Sequence, residues 1–545
     1  MAIVNDMEPE HPPLQNSSNE AIEKLGTGDA VASLTNGSET SIPTTKPPAP
    51  LTWKLAAVAI TSLIRFGSAW SDGITSAMKS TLKKKLKINN RQFALLEASE
   101  DFMVTLLILP SGLLTDRMGG ANTIVYGNLL FTLGLILVAA AAQAESFKFM
   151  IGARIIKALG DIATQVAQYK MFSSWFPPSS GFASTVAFEL AMGKIGGFVG
   201  TATANVISHN TGKFSWTFWV AVFVNIFVNI TTLFFWWFSK IAFKKFSPVA
   251  DPSTGEKLTE RSKKFELKKV SELPWTFWCV LAFSLFETST AVIFQQNATE
   301  MAQQRFDINA IKAGWYSATV QYAGFFLVPL LGIFIDLFGN RISISKFSIV
   351  NPMDDSADIS TVAFCGTGMF ISMALINWVN TQTGFAAAFG VYAFALSFGP
   401  TTIIDSIRTS MWHQSVFGSA YAVKICMNNS MNIIVRIIAG VLQDYDDNSY
   451  RRVVQLYVFL AAMSVVVSAL LVLLSWRSID LRYLQWTRKQ RLAKGQLWNE
   501  RKKQFHEING VRNRRASKAC FAALITLVVG SWCAYIWGAV TGHNS

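Results

Sequence analysis

Two stretches of this 545-residue chain decide its fold: Gly112-Leu-Leu-Thr-Asp116-Arg117-Met-Gly119 and Gly332-Ile-Phe-Ile-Asp336-Leu-Phe-Gly339-Asn-Arg341. In both, an aspartate follows one glycine by four residues and precedes another by three, and the copies stand 220 residues apart. Such a repeat marks an internal duplication. Each copy closes an apolar run. Working outward, six runs fall near 54–78, 92–115, 123–143, 148–172, 182–207 and 215–239, and six more near 275–298, 311–338, 361–380, 384–407, 417–442 and 452–475. Each is about 20 residues or longer, enough to cross a hydrocarbon core roughly 30 Å thick. The motif closes the second run and then the eighth, so the chain reads as six helices followed by six related ones. A thirteenth run near 518–540 has no counterpart in the duplication.

Composition agrees with this reading. Hydrophobic residues make up 51% of the chain and charged residues 15%, which excludes an ordinary soluble protein. The formal net charge of +14 lies in loops between apolar runs, so its expected partner is a lipid bilayer and not nucleic acid. The five cysteines, Cys279, Cys365, Cys426, Cys520 and Cys533, all fall inside apolar runs and predict no disulfide framework. None of the five histidines (His11, His209, His413, His506, His543) stands at ligand spacing from another His or Cys, so no metal, haem or other cofactor is expected.

The predicted organisation has six parts: a disordered polar tail over 1–50 without a signal peptide, an N-terminal six-helix bundle over 51–239, a charged linker over 240–273 interrupted by Pro252 and Gly255, a C-terminal six-helix bundle over 274–476, a basic cytosolic segment over 477–517, and the thirteenth membrane helix with a short tail over 518–545. With a cytosolic N-terminus, about 27 Lys/Arg fall near inner membrane ends against about 10 outside, as positively charged inner loops require. One loop opposes this orientation: Lys79, Lys83, Lys84, Lys85, Lys87 and Arg91 fall outside. The basic segment interleaves Trp486, Trp498 and Phe505 with its cations, a composition suited to an anionic leaflet or to a plain cytosolic linker. It ends in Arg514-Arg515-Ala-Ser517, a basophilic kinase string, and Asn297-Ala-Thr299 is a glycosylation sequon on the expected outer side.

Charged residues inside the runs carry the functional reading, because each costs a few kcal/mol in lipid and therefore faces a bundle interior or water. The first run holds Arg65 and Asp72, seven apart on one face, and the second holds Glu97, Glu100 and Asp101 at i, i+3, i+4 spacing. Three acids on one helical face need a cation or protons between them. The fourth run holds Arg154, Lys157 and Asp161, and the tenth Asp405 and Arg408. In the eleventh, Lys424, Asn428, Asn432 and Arg436 recur every fourth residue, a polar stripe expected to line an aqueous path. Asp116 and Arg154 are expected to anchor loops, and Lys79 and Arg436 to reach an interface by snorkelling. In the fifth run, Gly193/Gly197 and Gly196/Gly200 allow close helix packing, whereas Lys194 needs an anion: Glu189, an acid of another helix, or a substrate carboxylate.

The Gly-x-x-x-Asp-Arg-x-Gly string resembles the loop signature that the major facilitator superfamily carries after its second helix and repeats after its eighth; Gly120 and Ala121 depart from it, standing where basic residues are common. Further strings resemble the branch containing the animal lysosomal dipeptide transporter: Phe66-Gly67-Ser68 with Asp72, Phe93 to Leu96, Val166-Ala167-Gln168, Met192-Gly-Lys194-Ile-Gly196, Leu273-Pro274, Gly418-Ser-Ala-Tyr421, and Ile437-Ile-Ala-Gly440 with Asp444. The resemblance spans about residues 54–475. It implies an all-α polytopic fold of two six-helix bundles working by alternating access, and a facilitator of dipeptides, cationic ones included, at a lysosomal or vacuolar membrane. It also implies that a basic residue of the fifth helix and an acid of the fourth grip the peptide termini. Lys194 stands at the first of these positions and Asp161 one residue from the second; Gln168 joins them as a binding candidate. Glu97, Glu100 and Asp101 replace aromatic or small residues of that branch, and the thirteenth run has no counterpart there.

The expected solute-binding set is therefore Lys194, Asp161, Asp72, Glu97, Glu100, Asp101, Gln168, Asn428 and Asn432. Lys194 is expected to meet a carboxylate, and one of Asp72, Glu97, Glu100 or Asp101 an amine, a basic side chain or a proton. Proton-coupled movement of an organic anion or drug is the alternative within transport; a plasma-membrane location and an accessory membrane subunit stay open. A non-transporting receptor or scaffold is the alternative from another class, opposed by the polar stripe. No enzyme is expected, since the chain holds no Walker string and no Gly-x-Ser-x-Gly elbow.

Overall fold

The computed structural model describes residues 46–177, 181–247, 249, 258, 267–339 and 361–541, and these are helical, without a β-strand among them. Arg341, His11, His543, residues 1–45 of the expected tail and residues 252–255 of the linker lie outside the described residues. The first half comprises α1 (Leu51–Ala77), the short α2 (Lys79–Leu86), α3 (Asn90–Met118), α4 (Gly120–Gln143), α5 (Phe147–Trp175), α6 (Phe182–Thr211) and α7 (Ser215–Lys245). After the single turn α8 (Leu267–Val270), the second half comprises α9 (Trp275–Phe306), α10 (Ala310–Tyr322), α11 (Gly324–Phe338), α12 (Thr361–Trp378), α13 (Gln382–Leu396), α14 (Gly399–Ser410), α15 (Phe417–Tyr445) and α16 (Arg451–Arg477). Three short helices, α17 (Ile479–Gln485), α18 (Arg488–Ala493) and α19 (Gly495–Lys503), lead to α20 (Gly510–Thr541).

Among the described residues, ten helical segments are long and apolar enough to cross a membrane, counting α10 with α11 and α13 with α14 as one segment each. Their outer faces carry bare Leu, Ile and Phe, such as Phe227, Ile230 and Phe234 of α7, as lipid contact requires. Helices α1, α3 and α5 match that length but hold the charged residues noted above. Their charge is tolerated because they surround the centre of the bundle. The chain is thus an all-α, multi-pass membrane protein.

Both motif copies explain their own residue types. Gly119 and Gly339 end α3 and α11 with φ of 86° and 74°, a region that penalises any side chain. A Cβ on Gly112 would lie 2.7 Å from Ala422 Cβ, and one on Gly332 would lie 2.8 Å from Ala183 O. These glycines let α3 approach α15 and α11 approach α6, each across the seam between halves. Arg117 is exposed at the end of α3. Within the first half, a Cβ on Gly196 or Gly200 would collide with the Phe66 or Trp70 carbonyl of α1, so this pair packs as expected. Gly193 and Gly197 instead face Arg65 and Gln321.

The thirteenth long helix, α20, lies along α3 and α15. Trp532 Nε1 donates to Thr105 Oγ1 at 2.9 Å, and Tyr535 stacks on Phe102 at 4.6 Å between centroids. Leu95 and Ala98 of α3 join Ile433 and Ile437 of α15 beneath it. One helix therefore touches both halves. The segment before it folds against the ends of α11 and α14: Tyr483 stacks on Trp498 at 3.8 Å and Trp412 on Trp498 at 4.6 Å. The aromatics expected at a lipid surface are thus mostly occupied by the protein itself. Ser517 is buried, so the kinase string presents no accessible hydroxyl.

Candidate functional site

A cavity of about 400 Å³ lies between the halves, lined by α1, α3, α5 and α6 from the first and by α9, α10, α13 to α15 from the second. The stripe Lys424, Asn428, Asn432 and Arg436 lines it along α15, as its spacing predicts. Asp72, Glu97, Glu100, Asp101, Asp161 and Lys194 line it as well. Gln168 does not: it is buried, and its amide donates to the Thr61 carbonyl at 2.8 Å, bracing α5 against α1.

The cavity has two electrostatic zones. Toward α2, the three acids of α3 meet cations of the protein itself, which resolves the repulsion their spacing poses. Glu97 pairs with Arg154 and, at 3.1 Å, with Arg436; Glu100 lies 3.0 Å from Arg154, and Asp101 2.9 Å from Arg436. Asp72, half exposed to the cavity, pairs with Lys157 at 2.9 Å. Arg154 and Arg436 therefore neither anchor a loop nor snorkel. They hold a buried network in which Arg436 ties α15 to α3. Burial demands this pairing, since an unpaired charge away from water is far costlier than a paired one.

Deeper in, the pairing stops. Among the described residues, Lys194 of α6 and Lys424 of α15 have no ion-pair partner within 4 Å, and neither do Asp161 and Glu287. Glu189, a candidate partner for Lys194, instead accepts from Tyr169 at 3.0 Å and lies 3.8 Å from Arg65. Glu287 accepts from Thr288 through one oxygen, and its other oxygen is buried with no hydrogen-bond partner. Asn432 Oδ1 and Gln321 Oε1 are likewise buried acceptors without donors. Asn428 is engaged, its amide donating to Ser284 at 3.0 Å. The zone thus offers two ammonium groups and a set of idle acceptors.

Two helix breaks shape this zone. Gly324, where α10 gives way to α11, leaves room for Lys194, whose Cγ would lie 2.8 Å from an added Cβ. Gly399, where α13 gives way to α14, leaves room for Glu287, whose carboxylate an added Cβ would strike. Interrupted helices beside a central site are a recurring feature of transporters. Glu287 is absent from the sequence-derived set, although a lone acid in the seventh run meets the same criterion; the Gly399-Pro400 break inside the tenth run is a second signal for this place.

Polar contacts close the halves together at both ends. On the linker side, Asp116 accepts from Ser419 N at 3.1 Å and pairs with Lys170 at 2.9 Å, and Asp336 accepts from Ser184 N at 2.8 Å. Arg408 donates to the Ser173 carbonyl at 2.9 Å. On the opposite side, Lys79 lies 2.9 Å and Lys83 2.6 Å from Glu300 of α9, and Arg91 lies 3.2 Å from Asp444. Lys79 is therefore buried in a cross-half network and does not snorkel. Half of the basic loop that opposes the charge rule is there for acids of the other half. Asn297 donates to Tyr457 at 2.7 Å and is buried, so the sequon is no glycan site in this state.

Folding also brings together histidines that lie far apart in the sequence. His413 and His506, 93 residues apart, come within 5.1 Å between ring centroids, and Glu272 joins them. Outside the membrane, burial holds the His506 ring below the usual imidazole range.

Comparisons with known proteins fit this architecture. The mouse (Mus musculus) lysosomal dipeptide transporter MFSD1 is 25% identical over 172 residues, 30% of this chain and 35% of that protein. The putative multidrug resistance protein MdtD of Yersinia enterocolitica is 29% identical over 130 residues, 24% of this chain and 27% of that protein. The chain thus aligns with about a third or less of the length of these relatives. Among solved structures, the proton:xylose symporter XylE superposes with a TM-score of 0.58 at 14% identity, covering 82% of this chain and 99% of XylE. The E. coli fucose transporter FucP in its outward conformation gives 0.54 at 14% identity, covering 76% and 98%. The family model described as Major Facilitator Superfamily matches residues 61–423. With twin motifs, a cavity between two related halves and that match, the chain belongs to the major facilitator superfamily of membrane transporters.

Proposed function

We propose that this transporter moves dipeptides, cationic ones among them, by alternating access as a facilitator. The observation that carries the reading is the unmatched inventory of the inner zone among the described residues: two lysines without an anion, two acids without a cation, and buried acceptors on Glu287, Asn432 and Gln321 without a donor. A dipeptide complements it. Lys194 and Lys424 take the carboxylate; one of Asp161 and Glu287 takes the α-ammonium, leaving the other for a basic side chain; Asn432 or Gln321 takes the single peptide N–H. Lysine offers a point charge here instead of a fork, so the carboxylate is held by two cations rather than by one bidentate contact. The acids of α3 are already paired and serve the seam between halves, which moves them from solute binding to the conformational change. The polar seams at both ends can part in turn, opening the cavity to one side and then the other. The partial similarity to a lysosomal dipeptide transporter supports the same substrate class. We place the protein in a lysosomal or vacuolar membrane with its linker and N-terminus cytosolic, which leaves Lys84, Lys85 and Lys87 as the unexplained part of the charge count.

Uptake of a labelled neutral dipeptide into proteoliposomes tests the reading. Flux that unlabelled dipeptides compete away, and that falls at least tenfold in Lys194→Ala and Glu287→Gln, supports it. Flux equal to that of empty liposomes, or competition by sugars or drugs and not by dipeptides, overturns it. Acidification of the vesicle lumen coupled to uptake would replace the facilitator with a proton symporter.

A further inference from the structure

Glu272, His413 and His506 come from three separated parts of the chain: the end of the linker, the turn between α14 and α15, and the segment before α20. Each offers one ligand atom, and the three atoms lie within 4.8 Å of one another. Glu272 Oε2 stands 3.6 Å from His506 Nδ1, beyond hydrogen-bonding distance, and His506 Nε2 is buried with no partner. The carboxylate is already oriented from its other side, where Arg514 Nε approaches Oε1 at 3.2 Å. That division of labour, one oxygen braced by a neighbour and the other directed inward, is how outer-shell groups set a ligating carboxylate. Trp412, Trp498 and Phe505 pack beside the rings and keep bulk water from one flank.

Two imidazoles and one carboxylate are borderline donors, a set that selects a transition ion such as zinc over magnesium or calcium, which prefer all-oxygen shells. The geometry points to a zinc site formed by Glu272, His413 and His506, with water as the fourth ligand, that fastens the basic segment to the linker face of the second half. Occupancy joins these three chain segments through one ion. The inference stands apart from the solute cavity: no residue of one lines the other.

The test uses the full chain purified in detergent, stripped with EDTA, incubated with zinc sulfate and desalted. About one zinc per chain by elemental analysis is expected, retained by His209→Ala, which alters an exposed histidine elsewhere. His506→Ala and Glu272→Gln are expected to retain less than a fifth as much. Zinc should also slow tryptic cleavage within residues 477–515 several-fold in the unmodified chain and not in His506→Ala. X-ray absorption of the loaded chain should show nitrogen and oxygen neighbours at about 2.0–2.1 Å. Zinc retention equal in His506→Ala and the unmodified chain, no retention by the unmodified chain, or an all-oxygen shell overturns the proposal. Should His506→Ala not elute as a single species, Glu272→Gln and the absorption spectrum decide.

Discussion

Asp116 of the first motif copy caps α15 of the second half, and Asp336 of the second copy caps α6 of the first. Each carboxylate accepts a backbone N–H in the first turn of its target helix and a serine hydroxyl beside it, at 2.5 Å from both Ser419 Oγ and Ser184 Oγ. The orphan N–H groups and positive end of a helix favour an anion there. The duplication thus builds two reciprocal latches on one side of the bundle, and each half locks the other.

The latches are not equal, because Asp116 also neutralises buried Lys170, whereas among the described residues Asp336 meets N–H and hydroxyl donors alone. Asp336→Asn should cost about 1–2 kcal/mol, the worth of a cap. Asp116→Asn should cost more, about 3–5 kcal/mol, since it strands a buried ammonium. Thermal unfolding of the purified variants ranks them, and equal losses would contradict this account.

Arg436 is held by Glu97 and Asp101 at once, so Arg436→Met should destabilise by about 3–5 kcal/mol. Adding Asp101→Asn should recover part of that loss, because it removes one of the stranded carboxylates. A double variant no more stable than Arg436→Met would show that Asp101 is not coupled to it.

At Gly399, an added methyl group displaces the Glu287 carboxylate and presses on Cys365 Sγ, 3.0 Å away. Gly399→Ala should therefore mimic Glu287→Gln in transport, with at least a tenfold fall in flux at unchanged membrane abundance. Wild-type flux in Gly399→Ala would remove Glu287 from the solute site.

Asn297 is buried between Lys79 and Tyr457, at 2.6 and 2.7 Å. Treatment with a peptide N-glycosidase should leave the electrophoretic mobility of the full chain unchanged, and Asn297→Gln should migrate like the unmodified chain. Asn297→Gln should nonetheless lower stability, because both hydrogen bonds must be remade by a longer side chain.

Removal of residues 510–545 strips the cover from Leu95, Ala98 and Ile437 on α3 and α15. The midpoint of thermal unfolding should fall by several degrees while dipeptide binding persists, since α20 lines no part of the cavity. Loss of binding in the shortened chain would give α20 a role in the site.

Much of the fold was legible along the chain. Apolar runs of membrane length must be helices, because lipid offers no partner for an open backbone. The twin motif announces two halves, and charges inside runs announce an interior. The reading strayed where a side chain had more than one possible partner. Lys79 and Arg436 look like interface residues by position, yet they end among acids from the opposite half. Gln168 sits in a familiar string, yet it braces two helices. Glu97, Glu100 and Asp101 look like a waiting cation site, yet Arg154, Lys157 and Arg436 fill that need. His413 and His506 look unrelated until the last segment folds back.

Periodicity and hydropathy are local properties, so residue order alone dictates which segments are helical, where they turn and which faces shun lipid. Charge pairing is not local: whether a lysine is satisfied or left waiting depends on helices hundreds of residues away and on how closely glycines let them approach. Lys194 and Lys157 are indistinguishable as lysines in membrane runs. Packing supplied Asp72 to one and left the other facing an open cavity, and from that difference the site arises.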